Sequence, residues 1–383
     1  MLKKTILYII LGLTAVSCVE KEKTDKYPIL GIDPLYLNVI EEPDEAFIEW
    51  AKKGFMNAVL IHISPQDSLK DIPHLNIQKI AGIIEDQQWE QLSKSRGRLF
   101  NNSNYLYAAV QLEMVKRIYW VIPYRLFDDM PLAGEKIREF LKQSASELEE
   151  KEIELMKMTD GCLSGSLSGT DMHICSPRTV PEIREPVIMS MDVSFFPVYA
   201  ADARISKLRA LKWFFDYITL RRTFRVEHGT VSFSIESGHT DAIHRYIGEE
   251  LVEGMGNPGI LKSDSPPELW QFRDKAENML TGGEDELIVE YLIEPFNKYP
   301  DDPALILLNT AAEIRLRKFD NALKAMDALC EKNEKYCYGY IYLGDIIDNK
   351  YTDWKETFFI RASDALPDSN YINKKVSQLF TTD

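Results

Sequence analysis

Between residues 28 and 268 the sequence alternates short apolar segments with amphipathic ones, and this alternation restricts the possible folds more than any other feature. Asn57–Ile63 is apolar on both faces, as expected for a central strand of a parallel sheet, and Val187–Met191 has the same character. The amphipathic segments between such strands have the apolar period of helices. Because a crossover must connect two parallel strands, the pattern predicts a three-layer α/β/α fold with a mostly parallel sheet and helices on both faces.

The individual elements follow from apolar periodicity and from the residues that begin or end helices. The predicted strands are Leu35–Glu41, Asn57–Ile63, Arg117–Ile122, Val187–Met191 and Thr230–Glu236, and the predicted helices include Pro43–Gly54, Ile77–Leu92, Asn104–Val115, Gly134–Lys157 and Ala200–Arg221. Gly161–Thr170 interrupts this pattern. A nucleophile elbow has serine at the centre of a Gly-x-Ser-x-Gly motif, and here Leu163 and Leu167 occupy the two central positions. The segment also lacks the lysine of a phosphate-binding loop. This segment is therefore predicted to be a flexible loop.

The last hundred residues are predicted to be helical only. Pro303–Leu329 has the pattern of an antiparallel helix pair, and Tyr338–Leu366 repeats it. Four residues have a spacing that resembles the first helix of a tetratricopeptide unit, and they are Tyr340, Leu343, Gly344 and Ile347. Two such units are few for a free-standing solenoid, so this helical-repeat-like region is expected to pack against the α/β domain, with Glu284–Tyr299 as an additional capping helix.

The first 17 residues resemble the signal peptide of a bacterial lipoprotein. Lys3 and Lys4 supply a positive start, and the apolar run Thr5–Val16 is shorter than the ~20 residues that cross a bilayer. Small residues then precede Cys18, and the resemblance implies cleavage before Cys18 and a lipid on its thiol as the anchor to a membrane of the cell envelope. The alternative is an ordinary signal peptide followed by a coincidental cysteine. The predicted organisation is a signal peptide over 1–17, a lipidated flexible tether over 18–27, an α/β domain over 28–270 and a helical domain over 285–383.

Net charge limits the partners of this chain. Its formal charge of −15 becomes −17 once Lys3 and Lys4 leave with the signal peptide. So acidic a chain is a poor candidate for binding nucleic acid or anionic lipid through its general field, and no nucleic-acid partner is predicted. The densest basic segment, Arg221–Arg225, is too short to change that expectation.

The cysteines bear on the compartment in which the protein folds. Four follow Cys18 in the sequence: Cys162, Cys175, Cys330 and Cys337. In an oxidising compartment they can form two disulfides, and four thiols allow three pairings. Buried free thiols are the alternative, and the sequence leaves this choice and the pairing open.

Segments of the predicted α/β domain together resemble an uncharacterised branch of the arginase and deacetylase superfamily, over about residues 28 to 270. They are Leu37–Phe47, Leu60–Leu69, Ser103–Val110 with Ile118–Pro123, and Val187–Phe196. The resemblance implies a three-layer sheet that holds divalent metals at the carboxyl ends of its parallel strands. It also implies which positions of this chain correspond to metal ligands.

Those positions have lost most of their ligand chemistry. They are Pro43 (beside Glu42), Ser64, Gln66, Ser68, Asp192 and Ser194. Only Asp192 keeps a ligand-type side chain, whereas divalent cations need several charged oxygens or imidazoles. Neutral side chains also cannot supply the charge that activates a metal-bound water. The sequence therefore predicts no metal, no cofactor and no catalytic residue.

Histidines elsewhere do not restore such a site. His62 lies on an apolar strand and is predicted to be a hydrogen-bonded core residue. His239 and His244 are five residues apart, which would place them on different faces of a helix. No alternative ligand set is therefore predicted.

A crevice is nevertheless expected at the carboxyl ends of the strands, where open parallel sheets form one. Its predicted lining is polar with few charges: Glu42, Ser64, Gln66, Ser68, Asp192 and Ser194. Such a pocket would bind a small ligand through hydrogen bonds, or it would be the filled relic of an active site. The sequence leaves both possibilities open.

Three functions are compatible with these observations. The first is a non-catalytic, lipid-anchored pseudo-enzyme that binds a small ligand, or a protein partner through its helical region. The second is a metal-dependent hydrolase of amide or C–N bonds whose ligand set is not recognised in the sequence. The third is a purely structural lipoprotein within an envelope complex. We expect the first, because five of the six ligand positions are neutral.

Overall fold

The computed structural model describes residues 27–124, 133–144, 150–263 and 265–380. The predicted signal peptide, Cys18 and all but the last residue of the predicted tether lie outside these ranges. No helix within the described ranges combines the length and the apolar character needed to cross a bilayer.

A single sheet organises the first two thirds of the chain. Its strands among the described residues are β1 (Asn38–Ile40), β2 (Ala58–Ile63), β3 (Val115–Val121), β4 (Lys157–Thr159), β5 (Cys162–Leu167), β6 (Thr170–Cys175), β7 (Val187–Asp192) and β8 (Val226–Ser232). Their order is β1-β8-β7-β2-β3-β6-β5-β4. In this spatial order, neighbouring strands are parallel from β1 through β8, β7, β2 and β3 to β6. The strands β5 and β4 continue the sheet beyond β6 in antiparallel pairing and form one edge. The predicted fold class, a mostly parallel α/β sheet followed by a helical region, is confirmed.

The centre of the sheet is also as predicted. β2 lies between β7 and β3 and is parallel to both, so that Ile61 is opposite Met189 on one side and Tyr119 on the other. All six residues of β7 are buried, and β2 is buried from Val59 to Ile63. Burial from both sides explains why these segments are apolar on both faces.

Helices cover both faces of the sheet. Those on one face come from the first half of the chain: α1 (Glu45–Lys53), α2 (His74–Glu85), α3 (Trp89–Lys94), α4 (Tyr105–Gln111), α5 (Ala133–Ser144) and α6 (Glu150–Leu155). Those on the other face follow β7: α7 (Phe195–Ala203), α8 (Lys207–Phe214), α9 (Arg245–Gly256), α10 (Pro258–Lys262) and α11 (Glu268–Gly282). Alternate strand residues point to opposite layers, so Leu60 packs with the first group and Ile61 with the second.

Some element boundaries differ from the sequence prediction. The predicted helix Ile77–Leu92 is divided into α2 and α3, and the predicted helix Ala200–Arg221 is interrupted after α7. Arg204 ends α7 with a φ of 52°, a left-handed conformation that stops the helical hydrogen-bond pattern. β8 begins at Val226, four residues before the predicted start at Thr230.

The prediction of a flexible loop over Gly161–Thr170 is wrong. β5 and β6 form a hairpin there, joined by Ser168 and Gly169, which both have positive φ values of 50° and 82°. Two such residues make the tight turn that matches the twist of paired strands. Close packing favours glycine at position 165, since a Cβ there would lie 2.8 Å from the Met156 side chain. The Ser-Gly dipeptide was the available turn signal in the sequence.

The four described cysteines form two disulfides, one of the possibilities that the sequence left open. Cys162 is bonded to Cys175 across β5 and β6, and Cys330 is bonded to Cys337 in the helical region. Disulfides persist in oxidising compartments, so this pairing agrees with an exported protein.

The helical region contains the two predicted helix pairs. Its helices are α12 (Asp285–Tyr291), α13 (Ile293–Lys298), α14 (Pro303–Arg315), α15 (Phe319–Lys332), α16 (Gly339–Ile346), α17 (Thr352–Ala365) and α18 (Asn370–Phe380). α14 packs against α15, and α16 packs against α17. The predicted capping helix over Glu284–Tyr299 is present as two short helices, α12 and α13.

The helical region packs against the sheet region through apolar contacts and buried ion pairs. Leu305 of α14 belongs to the same apolar cluster as Ile61 of β2. Arg273 of α11 lies 2.5 Å from Asp302, which caps α14, and 3.4 Å from Glu250 of α9. The sequence analysis predicted that the helical region packs against the sheet region, because two helical units are few for a free-standing solenoid.

Candidate functional site

The carboxyl ends of β2 and β7 bring together residues that the sequence singled out. Ile63 is paired with Met191, so Ser64, which follows β2, lies beside Asp192 at the end of β7. Ser194 precedes α7, and its backbone N–H donates to Asp192 Oδ1 at 2.8 Å. The sheet therefore places these three positions next to each other.

Asp192 is held by groups of the protein itself. Burial raises the pKa of its carboxyl, and the hydrogen bond from the Ser194 backbone N–H opposes that shift. Because Asp192 is buried and already accepts this hydrogen bond, its carboxylate is not an open ligand position.

Of the two possibilities that the sequence left open, the burial of Ser64, Ser68, Asp192 and Ser194 favours a filled crevice at these positions. None of these residues is more than 5% exposed. Gln66, from the loop after β2, is half-buried, and its Nε2 lies 2.9 Å from Nδ1 of His239, from the loop after β8. Since β7 lies between β2 and β8, this contact crosses the end of β7 and covers it.

His62 is a core residue, but only one of its nitrogens has a partner. Its Nε2 lies 2.9 Å from the carbonyl oxygen of Gln66, so Nε2 carries the proton. Burial lowers the pKa of His62 to about 4, and the ring is neutral at pH 7. Nδ1 is buried without a hydrogen-bond partner among the described residues. His62 thus holds the Gln66 backbone in the covering loop.

His239 is a site residue that the sequence analysis missed. It was judged by its spacing from His244, although it lies in a loop and not on the same helix. Its position a few residues beyond the end of β8 was the signal that could have found it, because loops at the carboxyl ends of parallel strands meet at one edge.

Glu42 is the predicted site residue that does line an open cavity. It is 4% exposed, and its carboxylate accepts hydrogen bonds from the Ser237 backbone N–H at 2.8 Å and from the Asn102 side-chain amide. Burial raises the pKa of Glu42 to about 7 despite these two donors. Glu42 therefore changes its charge near neutral pH.

A second buried carboxylate lies close to Glu42. Asp44 is 2.9 Å from Arg96, and Glu45 is 3.0 Å from the same guanidinium. Burial raises the pKa of Asp44, and the charge of Arg96 opposes that shift. Pro43, between Glu42 and Asp44, is buried in the turn that precedes α1 and offers no polar side chain. The charge of Arg96 is thus already shared by two carboxylates.

These residues open onto a crevice of about 550 Å³ between the strand ends and the helical region. Residues from four parts of the chain form its walls: Glu42 and Asp44 after β1, Asn101 and Asn102 before α4, Glu236 and His239 after β8, and Tyr338, Asp368 and Tyr371 of the helical region. Tyr371 packs directly on Gly238, where a Cβ would collide with its ring. The helical region therefore forms one wall of the crevice.

The residues that the structure describes contain no group of three or more His, Cys, Asp or Glu side chains arranged to hold a metal ion. Whether the protein binds metal remains a prediction for metal analysis to test. The polar groups of the crevice can accept hydrogen bonds and attract a positive charge.

No protein-family model, curated protein or solved structure matches this chain. The fold class is defined by the sheet and its helices. The resemblance to the arginase and deacetylase superfamily remains a prediction.

Proposed function

We propose that this protein is a lipid-anchored protein of the bacterial cell envelope that acts by binding and not by catalysis, and that the crevice takes a small cation with an amine or guanidinium group. The observation that carries the proposal is the composition of the crevice walls. They contain four carboxylates, Glu42, Asp44, Glu236 and Asp368, against the single guanidinium of Arg96.

The electrostatics of Glu42 support a cationic ligand. With its pKa raised to about 7 by burial, Glu42 is costly to ionise in the empty crevice. A bound cation would stabilise the ionised form, so binding would release a proton near neutral pH. Arg96 offsets only one of the four carboxylates, its ion-pair partner Asp44, so the crevice walls keep a negative excess.

Two aromatic rings add a second form of recognition. Tyr338 and Tyr371 line the crevice on the side of the helical region. Ring faces attract ammonium and guanidinium groups, and carboxylates on the opposite wall complete the surroundings of such a group. An anion or an uncharged sugar would meet no comparable complementarity.

Export and the absence of catalysis have separate support. The two disulfides and the lipoprotein-like start of the sequence favour export. At the strand ends, Ser64, Ser68 and Ser194 are buried and neutral, and Asp192 is already hydrogen-bonded. A protein partner that binds through the helical region also remains a prediction.

Calorimetric titration at pH 8 tests the proposal. Cadaverine and agmatine are the probes, and N,N′-diacetylcadaverine is the uncharged control. We expect the two cations to bind, and Glu42→Gln and Glu236→Gln each to weaken binding about tenfold by removing a charge-assisted contact. Glu90→Gln, an exposed change in α3, is the matched control and should leave binding unchanged.

The pH dependence sharpens this test. Below pH 7 the affinity of the unmodified protein should fall by up to about tenfold per pH unit, because Glu42 must lose a proton to bind the cation. Cation binding that is absent, or equal in Glu42→Gln and the unmodified protein, would contradict the proposal.

One observation favours a hydrolase as the second candidate. Glu42, with a pKa near neutrality, lies in the same crevice as His239, and such a pair suits general acid–base catalysis. Metal content after purification from medium containing zinc and manganese separates the two proposals. Stoichiometric metal, together with an amidase activity that chelation removes, would replace the binding proposal.

A further inference from the structure

The described chain begins at the opposite end of β8 from the crevice. The Val226 N–H donates to the Pro28 carbonyl at 3.0 Å, and the Leu30 N–H donates to the Phe224 carbonyl at 2.9 Å. Ile29 is bridged to Arg225 in the antiparallel sense. Residues 27–30 therefore lie beside the amino end of β8, whereas the crevice lies beyond its carboxyl end, about 20 Å away at the rise of a strand.

Three arginines gather next to this entry point. Arg178, Arg221 and Arg222 line a cavity of about 600 Å³, and we call them the arginine face. The Arg222 guanidinium donates to the carbonyls of Val180 at 2.7 Å and Arg178 at 3.1 Å. These bonds join the segment after β6 to the segment before β8. In the folded protein, Arg178 thus lies beside Arg221 and Arg222, which belong to the short basic segment of the sequence.

The two exposed guanidiniums are held in fixed positions. Both lie over the Tyr217 ring, with the Arg178 guanidinium 5.0 Å and the Arg221 guanidinium 4.9 Å from the ring centre. The Tyr217 hydroxyl also accepts a hydrogen bond from Arg178 at 2.7 Å. Asp160 and Glu182 line the same cavity, and Glu182 accepts a hydrogen bond from Thr223 at 2.5 Å. Three guanidiniums against these two carboxylates leave the cavity a small positive excess on a chain whose net charge is −15.

We infer that the arginine face binds phosphate groups of the membrane lipids to which the chain is tethered. The inference rests on the lipid anchor in the proposed function. Nine residue steps separate Cys18 from Tyr27, and they span at most about 32 Å when extended. The arginine face lies beside the end of that tether, and guanidinium groups match phosphate oxygens in charge and geometry.

The consequence is a defined orientation. Tether and arginine face both hold the molecule near the amino end of β8, so the carboxyl end of β8 and its crevice face away from the bilayer. A cationic ligand would then reach the crevice from solution and not from the lipid surface.

Vesicle sedimentation tests this inference on the mature chain from residue 18 with Cys18→Ser, which carries no lipid. We expect binding to phosphatidylcholine vesicles that contain phosphatidylglycerol, and a decrease with added salt. Arg178→Gln combined with Arg221→Gln should weaken binding about 25-fold, at about fivefold for each arginine near an anionic surface. Lys332→Gln combined with Arg361→Gln removes the same charge from the exposed helical region and is the matched control.

Each other outcome has a separate meaning. No binding to anionic vesicles, or equal weakening by both double variants, overturns the arginine face as a membrane contact. Binding of inorganic phosphate without binding to vesicles also overturns it and assigns the cavity to a soluble anion. Because the tested chain lacks the lipid, these outcomes do not depend on whether Cys18 is lipidated or whether the crevice binds a cation.

Discussion

The two ends of β8 carry opposite chemistry. Beyond its carboxyl end, carboxylates of the crevice surround one guanidinium that is already neutralised. Beside its amino end, Arg178, Arg221 and Arg222 gather close to the segment that pairs with β8 over residues 28–30. A net charge of −15 averages over this difference and hides it. The comparison teaches that the partner classes of an acidic protein depend on where its charges lie.

The parallel sheet explains why the two ends differ so sharply. In a parallel arrangement all carboxyl ends meet at one edge, so loops from distant parts of the sequence converge there. In this protein the loops after β1, β2 and β8 all reach that edge. Residues 28–30 pair with β8 at the opposite edge. The arginines there come from two segments, one after β6 and one before β8.

Removal of the anchor should have the largest effect on this comparison. Cys18→Ser takes away the predicted acylation point, so the protein should appear in soluble fractions or remain as an uncleaved precursor. Fractionation of cells expressing the variant measures this, with a Ser17→Ala variant, which keeps the cysteine, as the control. A correctly cleaved Cys18→Ser protein that stays on the membrane after a high-salt wash, which removes contacts of the arginine face, would show that the anchor is not a lipid on Cys18.

Loss of Arg273 should weaken the packing of the helical region, which forms one wall of the crevice, against the sheet region. Arg273→Leu leaves Asp302 and Glu250 buried without their shared cation. Removing one partner of a buried ion pair costs about 3–5 kcal/mol, and we expect that loss in the free energy of unfolding.

Chemical denaturation measures the Arg273 effect. Arg98→Leu, at an exposed position, is the control and should change stability by less than about 0.5 kcal/mol. A stable Arg273→Leu protein that still binds the cationic probes would show that the crevice does not depend on this junction.

Glu42→Gln should have a smaller effect that depends on pH. The pKa of Glu42 rises from 4.5 in the unfolded chain to about 7 in the folded protein, so its ionisation opposes folding. The cost is absent below pH 4.5, grows as pH rises from 4.5 to 7, and is complete above pH 7. Glu42→Gln should therefore stabilise the protein at pH 8 by up to about 3 kcal/mol, relative to its effect at pH 4.5.

Denaturant titrations at several pH values measure the Glu42 effect, with Glu90→Gln, an exposed change in α3, as the control variant. A Glu42→Gln protein that gains nothing between pH 5 and pH 8 would mean that the Glu42 carboxylate is not costly to ionise. Together with weaker cation binding, the expected result would mark Glu42 as a residue kept for function at the expense of stability.

Much of the fold was predictable because its evidence is local. β2 and β7 are apolar on both faces, and the helix pairs of the C-terminal region show a regular apolar period. The hairpin over β5 and β6 was missed because its glycine and serine residues have low strand propensity. In the structure their small size is required by contacts such as that of Gly165 with Met156.

The site was only partly predictable. The sequence placed Ser64 and Asp192 at the ends of neighbouring strands, and the structure has them there. It did not reveal that Gln66 and His239 contact each other across β7, or that Tyr371 packs on Gly238 to form a wall. Each of these contacts joins residues more than 130 positions apart, so no local pattern contains it.

The sequence by itself determined the parallel sheet, the helical C-terminal region and the position of the predicted anchor, because periodicity and short motifs act over a few residues. Only the tertiary structure decided which polar residues remain open to solvent and which are covered. It alone joined Arg178 to Arg221 and Arg222, and Glu42 to the wall that carries Tyr371. The physical reason is that burial and charge density are properties of neighbours in space, and the crossovers of a parallel sheet make those neighbours distant in sequence.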